Sequence, residues 1–235
     1  MDRVSEFLKK ELQGFKSTEI TGLLIVVGAI LFNYIMLHDS KIAVVSAICG
    51  ILYTVIAGKG KISCYIFGLT GSGFYAYLSF INNLWGNCLL YLCYYIPMQI
   101  LGILNWKNHL KKETNEIYKT GVNKKDRGKL VLVSIMLSAL GFWILKLTGD
   151  SHPLADGIST SLSLVGMYLT VKRCIEQWVV WTIVNLITVI MWFKVVSTGM
   201  RAYSTILMWS VYLVLGIYFY VCWKKELLQS DNANI

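Results

Sequence analysis

Eight long apolar blocks, almost free of charged residues, constrain this chain more than any other feature. They run over about 20–37, 42–57, 62–81, 86–106, 130–147, 156–171, 178–196 and 203–223. Blocks of roughly 18 or more such residues are long enough to cross a bilayer as helices. A water-soluble core is excluded, because its helices would carry a polar face. The predicted class is an all-α integral membrane protein with about eight transmembrane helices.

Composition agrees, with 56% hydrophobic and 15% charged residues and a mean hydropathy of +0.57, against about 25% charged residues in ordinary soluble domains. A net charge of +9 would suit nucleic acid, but the bases fall between the blocks, where they set membrane orientation. No nucleic-acid partner is expected. Arg3, Lys9, Lys10 and Lys16 precede the first block, and Lys59 and Lys61 follow the second. Eight bases fill the connection from Lys107 to Lys129; Lys172 and Arg173 follow the sixth block, Lys224 and Lys225 the eighth. These are 18 of the 22 bases, and an eight-span count puts them all on one face. That face is cytoplasmic, with both termini, by the positive-inside rule.

The termini and connections divide the chain accordingly. Residues 1–19 form an N-terminal segment in which Val4, Phe7, Leu8, Leu12 and Phe15 share one helical face, suiting a helix lying on the membrane surface. Residues 20–37 are a first transmembrane helix, 107–129 a basic cytoplasmic loop, and 224–235 a cytoplasmic tail. The six cysteines show no metal-ligand or redox spacing and read as small apolar packers. No metal or cofactor is expected.

The chain also repeats itself at an offset of about 111–117 residues. His38-Asp39-Ser40 is echoed by Gly149-Asp150-Ser151, Tyr53 by Tyr168, Gly102 by Gly216 and Trp106 by Trp223. An even number of spans per half makes the halves parallel, a known transporter plan with the substrate near the midplane. A duplicated scaffold without transport is the alternative.

Acid is absent from the blocks: all 13 Asp and Glu residues lie in loops, tails or block ends. Carriers driven by protons or sodium usually bury a carboxylate at depth, so passive facilitated movement is expected. No zinc spacing, nucleophile elbow or phosphate loop is present, so an enzyme is not expected. A retinal-type sensor would need a mid-helix lysine, and Lys146 and Lys194 sit near block ends.

The seventh block carries Trp178, Trp181 and Asn185 at i, i+3 and i+7, with Trp192 two turns further along the stripe. Tryptophan at a block end is ordinarily an interface anchor. Asn185 lies deeper, and its carboxamide needs a partner there, whether another helix or a solute. The fourth block aligns Tyr91, Tyr95, Gln99, Gly102 and Trp106, with Pro97 placed to free a carbonyl and kink the helix. Walls of indole, phenol and neutral amide suit a polar aromatic solute held by stacking and cation–π attraction worth about 0.5–2 kcal/mol.

The chain resembles the PnuC vitamin transporters. The resemblance rests on Tyr94-Tyr95-Ile96-Pro97-Met98-Gln99-Ile100-Leu101-Gly102 leading to Trp106, on Ser161-Leu162-Ser163, and most of all on Glu176-Gln177-Trp178-Val179-Val180-Trp181 followed by Asn185. It covers about residues 40–223. It implies two parallel three-helix bundles (38–106 and 148–223) joined by a single helix at 130–147, a 3+1+3 plan like that of SWEET sugar carriers. The helix at 20–37 is then an extra. It further implies nicotinamide riboside as the substrate, moved by facilitated diffusion and trapped by a ribosylnicotinamide kinase. The setting implied is a bacterial inner membrane, and the assembly a homotrimer. Trp178, Trp181 and Asn185 would contact the substrate with Gln99 opposite; Tyr95 and Trp192 are added from their place on the stripes. Thiamine or riboflavin is the alternative cargo within the resemblance.

Overall fold

The computed structural model describes residues 5–6, 9–11, 13–37, 41–81, 85–149, 152–197 and 203–233. The described residues contain no strand, only isolated bridging pairs. The helices are α1 (Ser17–Leu37), α2 (Lys41–Gly58), α3 (Cys64–Ile81), α4 (Trp85–Leu90), α5 (Ile96–Lys107), α6 (Lys124–Leu147), α7 (Pro153–Val171), α8 (Glu176–Ser197) and α9 (Tyr203–Ala233). Seven stretches are long and apolar enough to cross a membrane, and the shorter Val44–Gly58 makes an eighth apolar helix. The all-helical membrane class read from the apolar blocks therefore holds. Of the expected N-terminal apolar face, Val4, Phe7, Leu8 and Leu12 lie outside the described residues, as do the repeat markers at 38–40 and 150–151.

Helix ends depart from the apolar blocks where nothing in the chain breaks a helix. α6 starts at Lys124, inside the basic connection, behind Asn123 in extended geometry (φ −57°, ψ 140°). α9 runs on through Lys224, Lys225 and Glu226 to Ala233. The fourth block is interrupted instead. Tyr91–Tyr95 forms a π-turn between α4 and α5, closed by the Ile96 N–H donating to the Tyr91 carbonyl. Pro97 follows directly; its ring would crowd the carbonyl four residues back, and the wider turn relieves that clash.

The chain forms two compact units, Met1–Tyr118 and Lys119–Ile235. In the first, α1 packs on α2, α2 on α3, and α3 on α4, the π-turn and α5. In the second, α6 packs on α7, α7 on α8 and α8 on α9. The helix expected to join the two bundles, at 130–147, packs on α7 within the second unit. Small residues are the reason. A Cβ on Gly157 would stand 2.6 Å from the Phe142 backbone nitrogen, and Ser161 Oγ donates to the Leu137 carbonyl at 2.8 Å. Such close backbone approach is how helices associate where no water drives them together. Gly157→Leu is therefore expected to force α6 away from α7 and lower stability by about 1–3 kcal/mol. A thermal melt in detergent checks this, and an unchanged midpoint would refute the close packing.

Each unit pins one stretch of the 108–123 connection. In the first unit Ile117, fully buried, donates its N–H to the Gly60 carbonyl (2.9 Å). In the second, Thr120 N–H donates to the Arg173 carbonyl (3.0 Å) and Ile175 N–H to the Thr120 carbonyl (2.8 Å). Gly60 (φ +71°) and Arg173 (φ +60°) hold the two receiving turns in left-handed geometry, which is strained for the β-carbon of Arg173 and free for glycine. Burial raises the Cys174 thiol above its ordinary range, which keeps it protonated. Cys49, Cys64 and Cys88 are buried as packers as well, whereas Cys93 is exposed, a correction to the uniform reading.

Candidate functional site

The α8 stripe separates into two directions. Trp178 is 4% exposed and turns toward α9, with its ring 5.2 Å from Phe219 and 5.7 Å from Trp223. Its Nε1 is buried and has no partner among the described residues. Trp181 turns the other way, toward α7. Its indole lies over Gly166, where a Cβ would come within 3.0–3.3 Å of three ring carbons, and its Nε1 donates to Thr170 Oγ1 at 3.3 Å. Thr170 in turn donates to the Gly166 carbonyl at 2.9 Å. Asn185 is 5% exposed. Trp192 is half-buried further along α8.

In the first unit Gln99 is 4% exposed, and its Nε2 donates to Ser72 Oγ at 2.7 Å. Its Oε1 is buried and receives nothing from the described residues. Tyr95 is half-buried in a run of phenol rings: 4.8 Å from Tyr91 and 5.6 Å from Tyr94, with Tyr91 4.5 Å from Tyr75. The π-turn sets this run, because it places Tyr91, Tyr94 and Tyr95 at the point where the helix widens.

Ring-on-glycine contacts give the internal repeat a different register from the one the letters suggest. Tyr65 meets Trp106 edge-on at 5.0 Å, and Trp178 meets Trp223 at 5.7 Å. A Cβ on Gly102 would collide with the Tyr65 hydroxyl; the side chain stacked on Trp178 is Phe219. Gly102 therefore corresponds to Phe219, and Gln99 to Gly216, each 117 residues on. Within the helix pairs the step is 113 residues, which matches Tyr53 with Gly166, Gly68 with Trp181 and Ser72 with Asn185. The pairings of Tyr53 with Tyr168 and of Gly102 with Gly216 are corrected on these contacts.

The corrected register separates Asn185 from its counterpart. Ser72 is held by Gln99, but the position corresponding to Gln99 in the second unit is a glycine. Asn185, the counterpart of Ser72, therefore lacks the glutamine that holds Ser72. Tyr53, Tyr65 and Ser72 were not singled out by chemistry in the sequence. Their only signal was a place beside Gly68 and Gly102, which spacing alone does not reveal.

No group of three or more metal-ligating side chains occurs among the described residues. What the arrangement offers is flat rings and neutral amides, able to stack on a planar ring and to pair with hydroxyl or amide groups.

Comparison with known proteins converges on one group. The family model described as nicotinamide mononucleotide transporter matches residues 40–225. The chain is 33% identical over 226 residues to the nicotinamide riboside transporter PnuC of Neisseria mucosa, covering 92% of this chain and 85% of that one. It is 29% identical over 221 residues to the protein of the same name from Haemophilus influenzae, covering 93% and 95%. A crystal structure described as the vitamin B3 transporter PnuC superposes with a TM-score of 0.78 at 32% identity, over 93% of this chain and 95% of that one. The matches run through the α2–α9 helices that hold Gln99, Trp181 and Asn185, and the chain belongs to the nicotinamide mononucleotide transporter family, the PnuC transporters.

Proposed function

We propose that this chain carries nicotinamide riboside across a bacterial inner membrane by facilitated diffusion. The observation that carries the reading is Asn185, a carboxamide only 5% exposed within an apolar helix, one turn from the half-buried indole of Trp181. Trp181 supplies a face for the pyridinium ring by stacking and cation–π attraction, and Asn185 pairs with an amide or hydroxyl of the solute. The second unit adds Trp178, whose indole N–H is an unused donor, and Trp192. Within the first unit the candidate contacts are Gln99, with an unused acceptor oxygen, and Tyr95.

The family description speaks of the mononucleotide and the relatives' names of the riboside. The difference is one phosphate, which demands a cation, usually arginine or lysine. The bases of α8 and α6 lie at helix ends: Lys194 and Lys146 in the last turns, and Lys124, Lys125, Arg127 and Lys129 in the first turns of α6. That distribution favours the uncharged ribose of the riboside. No buried carboxylate is available for ion coupling in the apolar blocks, so the carrier equilibrates its solute. Net uptake then depends on a cytoplasmic kinase that phosphorylates the riboside and prevents its return. Both termini lie in the cytoplasm in this reading, by the excess of bases on that side, and the chain assembles as a homotrimer like the family it resembles.

Purified protein titrated with nicotinamide riboside, the mononucleotide, thiamine and riboflavin tests the reading. The riboside is expected to bind at least about tenfold more tightly than the other three, and proteoliposomes are expected to take up labelled riboside without any ion gradient. Binding of thiamine or riboflavin in its place would overturn the choice of cargo. Proteoliposomes that bind the riboside without moving it would overturn transport.

A further inference from the structure

The slot that Trp181 fills in the second unit is filled differently in the first. A Cβ on Gly68 would lie 2.7 Å from Tyr53 Cδ2 and 3.0 Å from Tyr53 Cε2, and would collide with Gln99 Oε1. One absent side chain on α3 thus makes room for a phenol from α2 and a carboxamide from α5 together. In the second unit the same three positions are reversed: the indole of Trp181 stands where Gly68 does, and glycines, Gly166 and Gly216, stand where Tyr53 and Gln99 do. The exchange keeps an aromatic ring in the slot of each unit while taking it from the opposite helix of the pair.

The two side chains that meet at Gly68 each carry a polar atom, and together these are chemically complementary to a single group. Tyr53 Oη and Gln99 Oε1 are both buried, and neither has a hydrogen-bond partner among the described residues. The Ser72 contact fixes the carboxamide by its nitrogen, so Oε1 is left as a pure acceptor. The Tyr53 phenol is a donor. A primary carboxamide or a hydroxyl, each of which donates and accepts at once, satisfies both atoms; a carboxylate, which only accepts, cannot pair with Oε1.

We propose that Tyr53 is a specificity-determining residue of the first unit, the counterpart of Trp181, whose hydroxyl joins the Gln99 carboxamide oxygen in receiving one carboxamide or hydroxyl group of the transported solute. This rests on the reading that the chain carries nicotinamide riboside, and the test separates the two.

Nicotinamide riboside is titrated into the unaltered protein, Tyr53→Phe, Gln99→Leu, the double variant and Trp181→Ala. Tyr53→Phe removes only an unpartnered hydroxyl, so its melting point is expected to be no lower than that of the unaltered chain, while its affinity falls about tenfold. The double variant is expected to lose less than the product of the two single losses, because both atoms serve one solute group. Nicotinic acid riboside, with a carboxylate in place of the carboxamide, tells the sources apart. Poor binding to the unaltered chain that Tyr53→Phe leaves unchanged in ratio assigns the hydroxyl; a ratio that narrows assigns the carboxamide. Affinity of Tyr53→Phe within about twofold of the unaltered chain, with binding lost in Trp181→Ala, would overturn the inference and leave the proposed function standing. Failure of the unaltered chain to bind the riboside would overturn both.

Discussion

Trp181→Ala is expected to weaken nicotinamide riboside binding roughly 100-fold, about 3 kcal/mol, while the protein still folds. The loss combines stacking on a flat ring with attraction to its positive charge, and both vanish with the indole. The structure also gives Trp181 a packing role, since its ring covers Gly166 and its N–H reaches Thr170. Alanine there opens a cavity against α7, so binding must be compared at matched foldedness. Trp181→Phe provides that comparison: it retains a ring over Gly166, loses the N–H, and is expected to recover much of the binding. Thr170→Val removes the partner of the indole N–H together with the Thr170 hydroxyl's bond to the Gly166 carbonyl, and is expected to cost little. Isothermal titration with a melting curve for each variant distinguishes these cases. Wild-type affinity in a folded Trp181→Ala protein would remove Trp181 from the set of solute contacts.

Lys61→Met is the second large effect, and it acts on stability. Lys61 is fully buried, and its Nζ donates to the carbonyls of Lys10 (2.7 Å) and Thr114 (2.6 Å), 3.5 Å from Glu116 Oε1. One ammonium thus fastens the N-terminal segment and the connection after α5 to the α2–α3 turn. Neighbouring contacts repeat the pattern: Ser63 donates to the buried Glu11 carboxylate, and Lys59 pairs with Glu19 at 2.7 Å while donating to the Gly14 carbonyl. Methionine keeps the stem volume and removes the charge, stranding two carbonyls and a carboxylate. A loss of about 3 kcal/mol is expected, with faster amide exchange and proteolysis in residues 9–16 and 108–118. Riboside affinity is expected to hold, as Lys61 touches none of the proposed contacts. Unchanged melting and protease resistance would show that the clasp carries no weight.

The ladder of apolar blocks determined the class, the number of helices and their approximate ends, because a bilayer demands long runs of apolar residues whatever they pack against. The Trp178–Trp181–Asn185 stripe was legible for the same reason, as polar and aromatic groups stand out against an aliphatic background. What the letters could not determine was the direction of each ring. Trp178 and Trp181 share a helical face, yet one turns to α9 and the other to α7, since a residue between two neighbours can fill either groove. Nor was the repeat register legible. A helix can slide by one turn, three or four residues, and show the same hydropathy, so Gly102 looked like the partner of Gly216. Steric contacts broke that degeneracy: Tyr65 lies against Gly102 and meets Trp106, while Trp178 lies against Phe219 and meets Trp223, which matches Gly102 with Phe219 and, at the same step, Gln99 with Gly216. The packing of α6 on α7 was decided in the same way, by the absent side chains of Gly141 and Gly157. Hydropathy places a helix in the membrane; only the shapes of its neighbours decide which way its side chains face and which amides go unpaired.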